Sequence, residues 1–327
     1  MTSGLLVLLT SHIPLLAAQT SSSRSDLERV QDSVASVTDT VRLRALFRHS
    51  EDPVRAGIIA VRLGELGDDP DFSDAIGRFR RATRKHGGDA APWFGLGLAQ
   101  SKRSEWEMRD MLRLGSRVGL GTLEHASDAY RRALGIDPTY VAAAIAMAQV
   151  DLSLLDTTRL RTARDLLRHT IALVPEPPHE LLLVWGRVER ASGSLQVATT
   201  AFERFLASGG NRALGLLELA RCRLALGQAS GDAPYYEGAA LDDPEAIAEY
   251  RADLQVIAAD SVLHEFDSVR GQWRAAFLHR FWTDRDHFDL RPEGERLREH
   301  YRRLLFARTH FPLTVSRRFY GPQDAFR

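Results

Sequence analysis

The segment "ASDAYRRALGIDP" (residues 126–138) places a small residue, a large residue, a second small residue and a proline at fixed intervals: Ala126, Tyr130, Ala133 and Pro138. Offsets of zero, four and seven lie on one face of an α-helix. A small residue there lets a second helix approach, the large residue fills the space beside it, and proline or glycine ends the helix. The same spacing, with one degenerate position in the last case, recurs in "AIGRFRRATRKHG" (75–87), "ARDLLRHTIALVP" (163–175), "ATTAFERFLASGG" (198–210) and "DAPYYEGAALDDP" (232–244).

A partner helix precedes four of these five segments, all but 75–87. "WFGLGLAQ" (93–100) contains the order W-x2-L-G, and Gly186 and Ala220 stand at matching places before the later segments. This pattern resembles the tetratricopeptide-repeat family over roughly residues 55–245. The resemblance implies an all-α fold, a tetratricopeptide-type helical-hairpin solenoid with a C-terminal helical extension. An insertion near 102–121 interrupts the spacing, and we expect it to add a helical segment packed on the solenoid.

The family resemblance also implies a binding groove. In such repeats the first helix of each pair lines a concave surface that holds a peptide or a partner protein, and the residue after the small position usually faces it. The predicted groove residues are Gln149, Arg187, Arg190 and Arg221, with Leu98 at the equivalent place upstream. Guanidinium groups bind carboxylates in a bidentate manner, so the expected ligand is acidic or carries a free C-terminus. The alternative is that Glu189 and Glu218 neutralise these arginines locally.

The C-terminal part reads differently. "FWTDRDHF" (281–288) belongs to an order that resembles the lead-in region of bacterial GWxTD-domain proteins, through Phe281, Trp282, Arg285, Asp286, Glu295, Tyr301, Arg302, Arg303, Ala307 and Phe311. The GWxTD motif itself is not present, and we expect this domain to be incomplete in the chain. An apolar stripe from Leu263 through Trp273 to Phe281 predicts one long helix, followed by a break at "DLRP" (289–292) and a second helix.

The acidic residues of "FWTDRDHF" raise the question of a metal or acid–base site. Only residues three or four apart share a helix face, which pairs Asp286 with Asp289 and leaves Asp284 and His287 elsewhere. We therefore predict that Phe281 and Trp282 pack on the end of the solenoid and that Arg285 and Asp286 cap the helix or pair with the next one. The chain contains no nucleotide-binding or hydrolase motif. The sequence predicts no catalytic residue, no metal and no cofactor.

The overall charge balance gives no reason to expect a polyanionic partner. Lys+Arg and Asp+Glu number 43 each, so no nucleic-acid partner is expected. The stretch 291–327 is rich in arginine, but its glutamates are interleaved at helical spacing, which is typical of an exposed salt-bridged face.

The first twenty residues indicate export. Residues 4–18 are mostly apolar and end in "LLAAQT", which resembles a secretory signal, although no basic residue precedes the run. The predicted divisions are a signal over 1–20, an N-terminal helix and linker over 21–54, the solenoid over 55–258 and a C-terminal helical segment over 259–327. We expect a non-enzymatic scaffold in the cell envelope that binds a protein or peptide and has no membrane span after signal removal. The alternative is an envelope enzyme, or enzyme subunit, with an incomplete C-terminal domain.

Overall fold

The computed structural model describes residues 24, 26–67, 69–114, 120–154 and 156–311, with the side chains of 69, 70, 108–114, 120 and 121 left out. This part of the chain forms sixteen α-helices and contains no strand. The predicted signal, residues 1–20, lies outside the described residues. The helices are α1 (26–35), α2 (Thr40–Arg48), α3 (Pro53–Leu66), α4 (Asp69–Lys85), α5 (Ala90–Leu114), α6 (Leu120–Ile136), α7 (Val141–Leu154), α8 (Thr157–Leu173), α9 (His179–Ala191), α10 (Leu195–Ala207), α11 (Arg212–Ala225), α12 (Asp232–Ala239), α13 (Pro244–Leu254), α14 (Asp260–Ser268), α15 (Gln272–Phe288) and α16 (Glu295–His310).

Several helix starts follow directly from local sequence. Asp52 accepts hydrogen bonds from the backbone N–H groups of Val54 and Arg55, and Pro53 occupies the first helical position of α3. Asp243 and Pro244 begin α13 in the same way. Aspartate satisfies the free N–H groups at a helix start, and proline fits there because it has no N–H to lose.

The helical hairpins pack through glycine against aromatic rings. A Cβ added at Gly57 would lie 2.6 Å from the Phe79 ring, and one at Gly186 would lie 2.5 Å from the Phe202 ring. Such distances are shorter than any van der Waals contact, so the large residue of the repeat fills a space that only glycine leaves. The predicted all-α fold of tetratricopeptide-type hairpins with a C-terminal helical extension is confirmed.

The chain divides into two compact units, Met1–Val150 and Asp151–Arg327. In the first unit, α3 and α4 form one hairpin, α5 and α6 form the next, and the first helices α3 and α5 lie side by side. Helix α2 packs on α3. The predicted insertion does not form a separate element up to Leu114, because α5 continues through it as one helix of 25 residues.

In the second unit, α9 and α10 form a hairpin, and α11 and α12 form the next. Helix α11 contacts α9 and α13, so these three first helices form one continuous face. Helix α16 packs against α11 and α9 on the same unit, while α15 packs against α12. One apolar core joins α11–α16 and includes Phe281, Trp282 and Tyr301. The predicted boundary at 258/259 stays a prediction.

The prediction of one long helix after residue 260 is wrong. Helix α14 ends at Ser268 and α15 begins at Gln272, and Gly271 between them has a φ of 53°, which interrupts a right-handed helix. Because of this break, the predicted apolar stripe does not include Trp273. That side chain is 77% exposed, whereas Phe277 and Phe281 are buried. The second predicted break, at 289–292, is confirmed between α15 and α16.

Candidate functional site

The three predicted groove arginines of the second unit meet on one carboxylate. Arg187 and Arg190 lie on α9, Arg221 lies on α11, and all three contact Glu218 of α11. We call Glu218 with these three arginines the Glu218 cluster. The fourth predicted residue, Gln149, is an exposed residue of α7 in the first unit and does not belong to the cluster. No observation tests peptide binding at any of the four residues, so their role stays a prediction.

Glu218 is completely buried and is surrounded by three guanidinium groups. Arg187 Nε donates a hydrogen bond to Glu218 Oε1 at 2.8 Å, and Arg190 Nη2 lies 3.1 Å from Glu218 Oε2. Arg221 Nη1 is 3.4 Å from Oε1. Burial by itself raises the pKa of Glu218, but the three guanidinium groups outweigh it and hold that pKa well below its usual range.

Arg221 connects the cluster to α13. Its side chain is only 2% exposed, and its Nε donates to Asp253 Oδ2 at 2.7 Å. Its Nη2 donates to Glu249 Oε2 at 2.9 Å. Asp253 and Glu249 both belong to α13, which follows α11 in the array of first helices. Arg221 is therefore fully engaged within the protein and is unable to reach a ligand without breaking these bonds.

Helix α16 closes the other side of this network. Tyr301 donates its hydroxyl hydrogen to Asp253 Oδ2 at 3.0 Å, and Arg308 Nη2 donates to Asp253 Oδ1 at 3.2 Å. Burial opposes ionisation of Asp253, but Arg221 and Arg308 together keep its pKa below its ordinary value. The C-terminal helix thus lies on the first helices of the second unit and holds the buried carboxylate of α13.

Arg187 is the most exposed arginine of the cluster. The Arg187 side chain is 23% exposed, and its Nη2 forms no hydrogen bond within the described residues. The nearest other carboxylates, Glu245 and Glu249, each lie 3.8 Å from that nitrogen, beyond hydrogen-bond distance. One donor of this guanidinium group is therefore buried without a hydrogen-bond partner among the described residues.

The sequence predicts part of this arrangement. Glu218 was foreseen as a local neutraliser because it lies three residues before Arg221 on the same helix. Asp253 and Arg308 were missed, since they are 32 and 87 residues away from Arg221 along the chain and only the packing of α13 and α16 brings them together. No sequence spacing points to either of them.

"FWTDRDHF" forms the last two turns of α15, and its Asp286 caps the start of α16. Asp286 is buried, and its two oxygens accept hydrogen bonds from the backbone N–H groups of Gly294 and Arg296, both at 2.7 Å. Arg285 lies over the Phe281 ring at 3.5 Å from its centre. The predicted capping role of Asp286 and the predicted packing of Trp282 are confirmed. Among the described residues, no group of three or more His, Cys, Asp or Glu is placed to hold a metal ion.

Comparison with known proteins gives one structural likeness. No protein-family model matches the chain, and no curated protein matches it. The solved structure of a thermophilic TPR protein from Thermus thermophilus is similar with a TM-score of 0.38 and 19% sequence identity, over 70% of this chain and 98% of that one. At this TM-score the likeness assigns neither a family nor a function. No described helix combines the length and hydrophobicity needed to cross a membrane.

Proposed function

We propose that the protein is a non-enzymatic scaffold that binds a peptide or protein partner on the first-helix face of its second unit. Arrays of helical hairpins present extended surfaces of this kind, which bind other proteins. The observation that carries the proposal is the buried, unbonded Nη2 of Arg187, which belongs to the most exposed of the three arginine side chains in the Glu218 cluster. The partner supplies the missing acceptor, an acidic side chain or a C-terminal carboxylate.

The Arg187 end of the cluster has room for one further acceptor. Glu218 is the one carboxylate among the described residues that lies within hydrogen-bond distance of Arg187 or Arg190, and both arginines share it. The competing carboxylate of Glu245 is 59% exposed and 3.8 Å away, so its interaction with Arg187 is weak. A ligand carboxylate at hydrogen-bond distance displaces it at little cost.

The same face already holds a helix of the protein. Helix α16 lies on α9 and α11 and is anchored through Tyr301 and Arg308. This arrangement supports helix-in-groove recognition, in which anchors three or four residues apart enter the spaces between first helices. Because α16 covers the part of this face near Asp253, the partner occupies the part near Arg187.

The test is a binding titration with a labelled hexaglutamate peptide that has a free C-terminus, read by fluorescence anisotropy. We expect the wild-type protein to bind it, Arg187→Gln to lose about tenfold or more in affinity, and Glu245→Ala to bind more tightly. Arg190 and Arg221 then still compensate the buried Glu218. The matched control, Arg161→Gln, removes one exposed arginine of the same unit that forms no ion pair with a described residue. Equal affinity of all four proteins contradicts the proposal, provided that their melting curves show folded protein. Absence of binding by the wild type contradicts the acidic-ligand part of it.

Location outside the cytoplasm is part of the proposal. The apolar run over 4–18 and the small residues after it support a cleaved export signal. A fusion of residues 1–30 to alkaline phosphatase, an enzyme active only after export, tests it. Activity in a bacterial host supports export, and its absence with intact cytoplasmic fusion protein contradicts it.

A further inference from the structure

Helix α4 of the first unit carries cations on its solvent-facing side over its last two turns. They are Arg78, Arg80, Arg81, Arg84 and Lys85, which we call the α4 basic face. Phe79 and Ala82 of the same turns are completely buried and fix which side of the helix meets solvent. Arg80, Arg81, Arg84 and Lys85 are all exposed. No apolar side chain accompanies them on that side.

These cations lack acidic partners. No acidic residue lies between Asp74 and Asp89 in the sequence, and Asp89 turns its carboxylate to the backbone N–H of Ala91. Arg80, Arg84 and Lys85 form no ion pair with any described residue. The cationic side chains therefore present unneutralised charge to solvent.

The neighbouring helix extends the charged surface. Arg44 of α2 is bonded to Asp71 of α4, and Arg78 lies over the Phe47 ring of α2 at 5.0 Å. The exposed Arg48 follows Phe47 directly. Helices α2 and α4 therefore present their basic residues side by side.

The arginines at α16 differ, because an acid neutralises them. Arg296 and Arg303 of α16 and Arg291 just before it each contact the largely buried Glu299. Cations near a helix C-terminus gain from the helix dipole, but that effect needs one or two charges in the last turn. It does not account for five cations over two turns without an acid.

We propose that the α4 basic face binds the surface of an anionic lipid membrane. A protein partner gains affinity from apolar or aromatic anchors buried in pockets, and this face offers neither. A membrane surface rich in anionic headgroups needs only charge, and clusters of four to eight Lys or Arg on one side of a helix are typical of such binding. The protein lies on the membrane without inserting, so its attachment is reversible and sensitive to salt. This inference does not depend on the peptide site of the second unit.

The test is co-sedimentation of the full chain with vesicles of phosphatidylcholine alone or with phosphatidylglycerol added. We expect binding only to the anionic vesicles, with release at about 0.5 M NaCl because salt screens surface charge. Arg80→Glu/Arg84→Glu/Lys85→Glu is expected to lose about 100-fold or more in partition coefficient. The matched control Arg161→Glu/Arg270→Glu/Arg302→Glu makes the same change of net charge at exposed arginines of the second unit and is expected to bind like the wild type.

Three outcomes overturn the proposal: no binding of the wild type to anionic vesicles, equal loss in both triple variants, or binding that survives high salt. Double-stranded DNA and polyglutamate are tested as alternative polyanions. If the wild type binds one of these but not the vesicles, the basic face recognises nucleic acid or an acidic protein, and the membrane assignment is wrong. Circular dichroism verifies that each variant is folded, since all six substituted side chains are exposed.

Discussion

Arg187 Nε lies 2.8 Å from Glu218 Oε1, and the carboxylate that it reaches is completely inaccessible to solvent. A buried charge of this kind is stable only while its partners remain, because the interior does not solvate it. The Glu218 cluster is therefore a structural element of the second unit as well as its candidate binding site. Variants that test binding have to leave Glu218 and Arg221 in place.

Glu218→Gln is expected to lower the free energy of unfolding by about 3–5 kcal/mol, because it leaves three guanidinium groups with less compensation in a buried place. Glu245→Gln, at the exposed end of the same network, is the control and is expected to leave stability unchanged. Urea denaturation of both variants measures the difference. Similar midpoints for the two would show that the cluster contributes no stability.

Asp286→Ala is expected to destabilise the protein by about 1–2 kcal/mol, since it removes the acceptor for two backbone N–H groups at the start of α16. The neighbouring Asp284 is exposed, so Asp284→Ala is the matched control. Denaturant titrations followed by circular dichroism measure both. A metal-binding role for this segment would instead appear as stabilisation of the wild type by added divalent ions, which we do not expect.

Stability is expected to fall in mild acid because of His300. Burial lowers the pKa of this side chain to about 4, with Asp253 opposing and Arg308, Arg221 and Arg285 reinforcing the change. The unfolded chain therefore binds a proton near pH 6.5 that the folded chain does not bind, so stability decreases as pH falls from about 6.5 towards 4. The contribution of this group is about 2–3 kcal/mol between about pH 7 and about pH 4.5.

His300→Phe isolates that effect, because the ring packs against Trp282 and Tyr301 and its Nε2 has no hydrogen-bond partner among the described residues. The pKa values of Glu218 and Asp253 are lowered in the folded protein, so their stabilising effect is lost as pH falls below the ordinary carboxyl pKa of about 4 and overlaps this window only at its acid end. Thermal melts at several pH values compare the two proteins. Parallel curves for wild type and variant would contradict the assignment to His300.

Gly186→Ala is expected to cost about 1–3 kcal/mol, since the added Cβ would lie 2.5 Å from the Phe202 ring. Gly77→Ala is the control, because a Cβ there meets nothing within 4 Å and alanine favours a helix, which gives a gain of about 0.5–1 kcal/mol. Chemical denaturation measures the expected loss of stability in Gly186→Ala and the expected gain in Gly77→Ala. The double variant Gly186→Ala/Phe202→Leu is expected to recover part of the loss.

Trp282→Ala is expected to destabilise the protein by about 3–5 kcal/mol, because the side chain is 2% exposed in the core that joins α11–α16. Trp273→Ala, nine residues earlier, is expected to change little, since Trp273 is 77% exposed. Melting temperatures of the two variants test this contrast. Equal losses of stability in the two variants would indicate that Trp273 and Trp282 are both buried, as the single apolar stripe predicted from the sequence requires.

The repeat spacing predicted the hairpins because a glycine and an aromatic residue at fixed positions are enough to define how two neighbouring helices approach. Gly186 and Phe202 illustrate it, since both belong to one hairpin of known period. The break at Gly271 was missed, because the apolar spacing continued across it and a single glycine does not by itself specify a positive φ. The resemblance to the GWxTD lead-in region stays a prediction.

The sequence by itself determined the helices, their pairing and the role of Asp286 as a cap, because these depend on residues within about forty positions of one another. Only the tertiary structure decided what the groove arginines contact. Arg221 meets Asp253 of α13 and, through it, Arg308 of α16, because chain segments far apart in sequence pack on one face. Charge pairing over such separations leaves no periodic signal, so the sequence predicts which arginines share a helix face but not which carboxylates they contact.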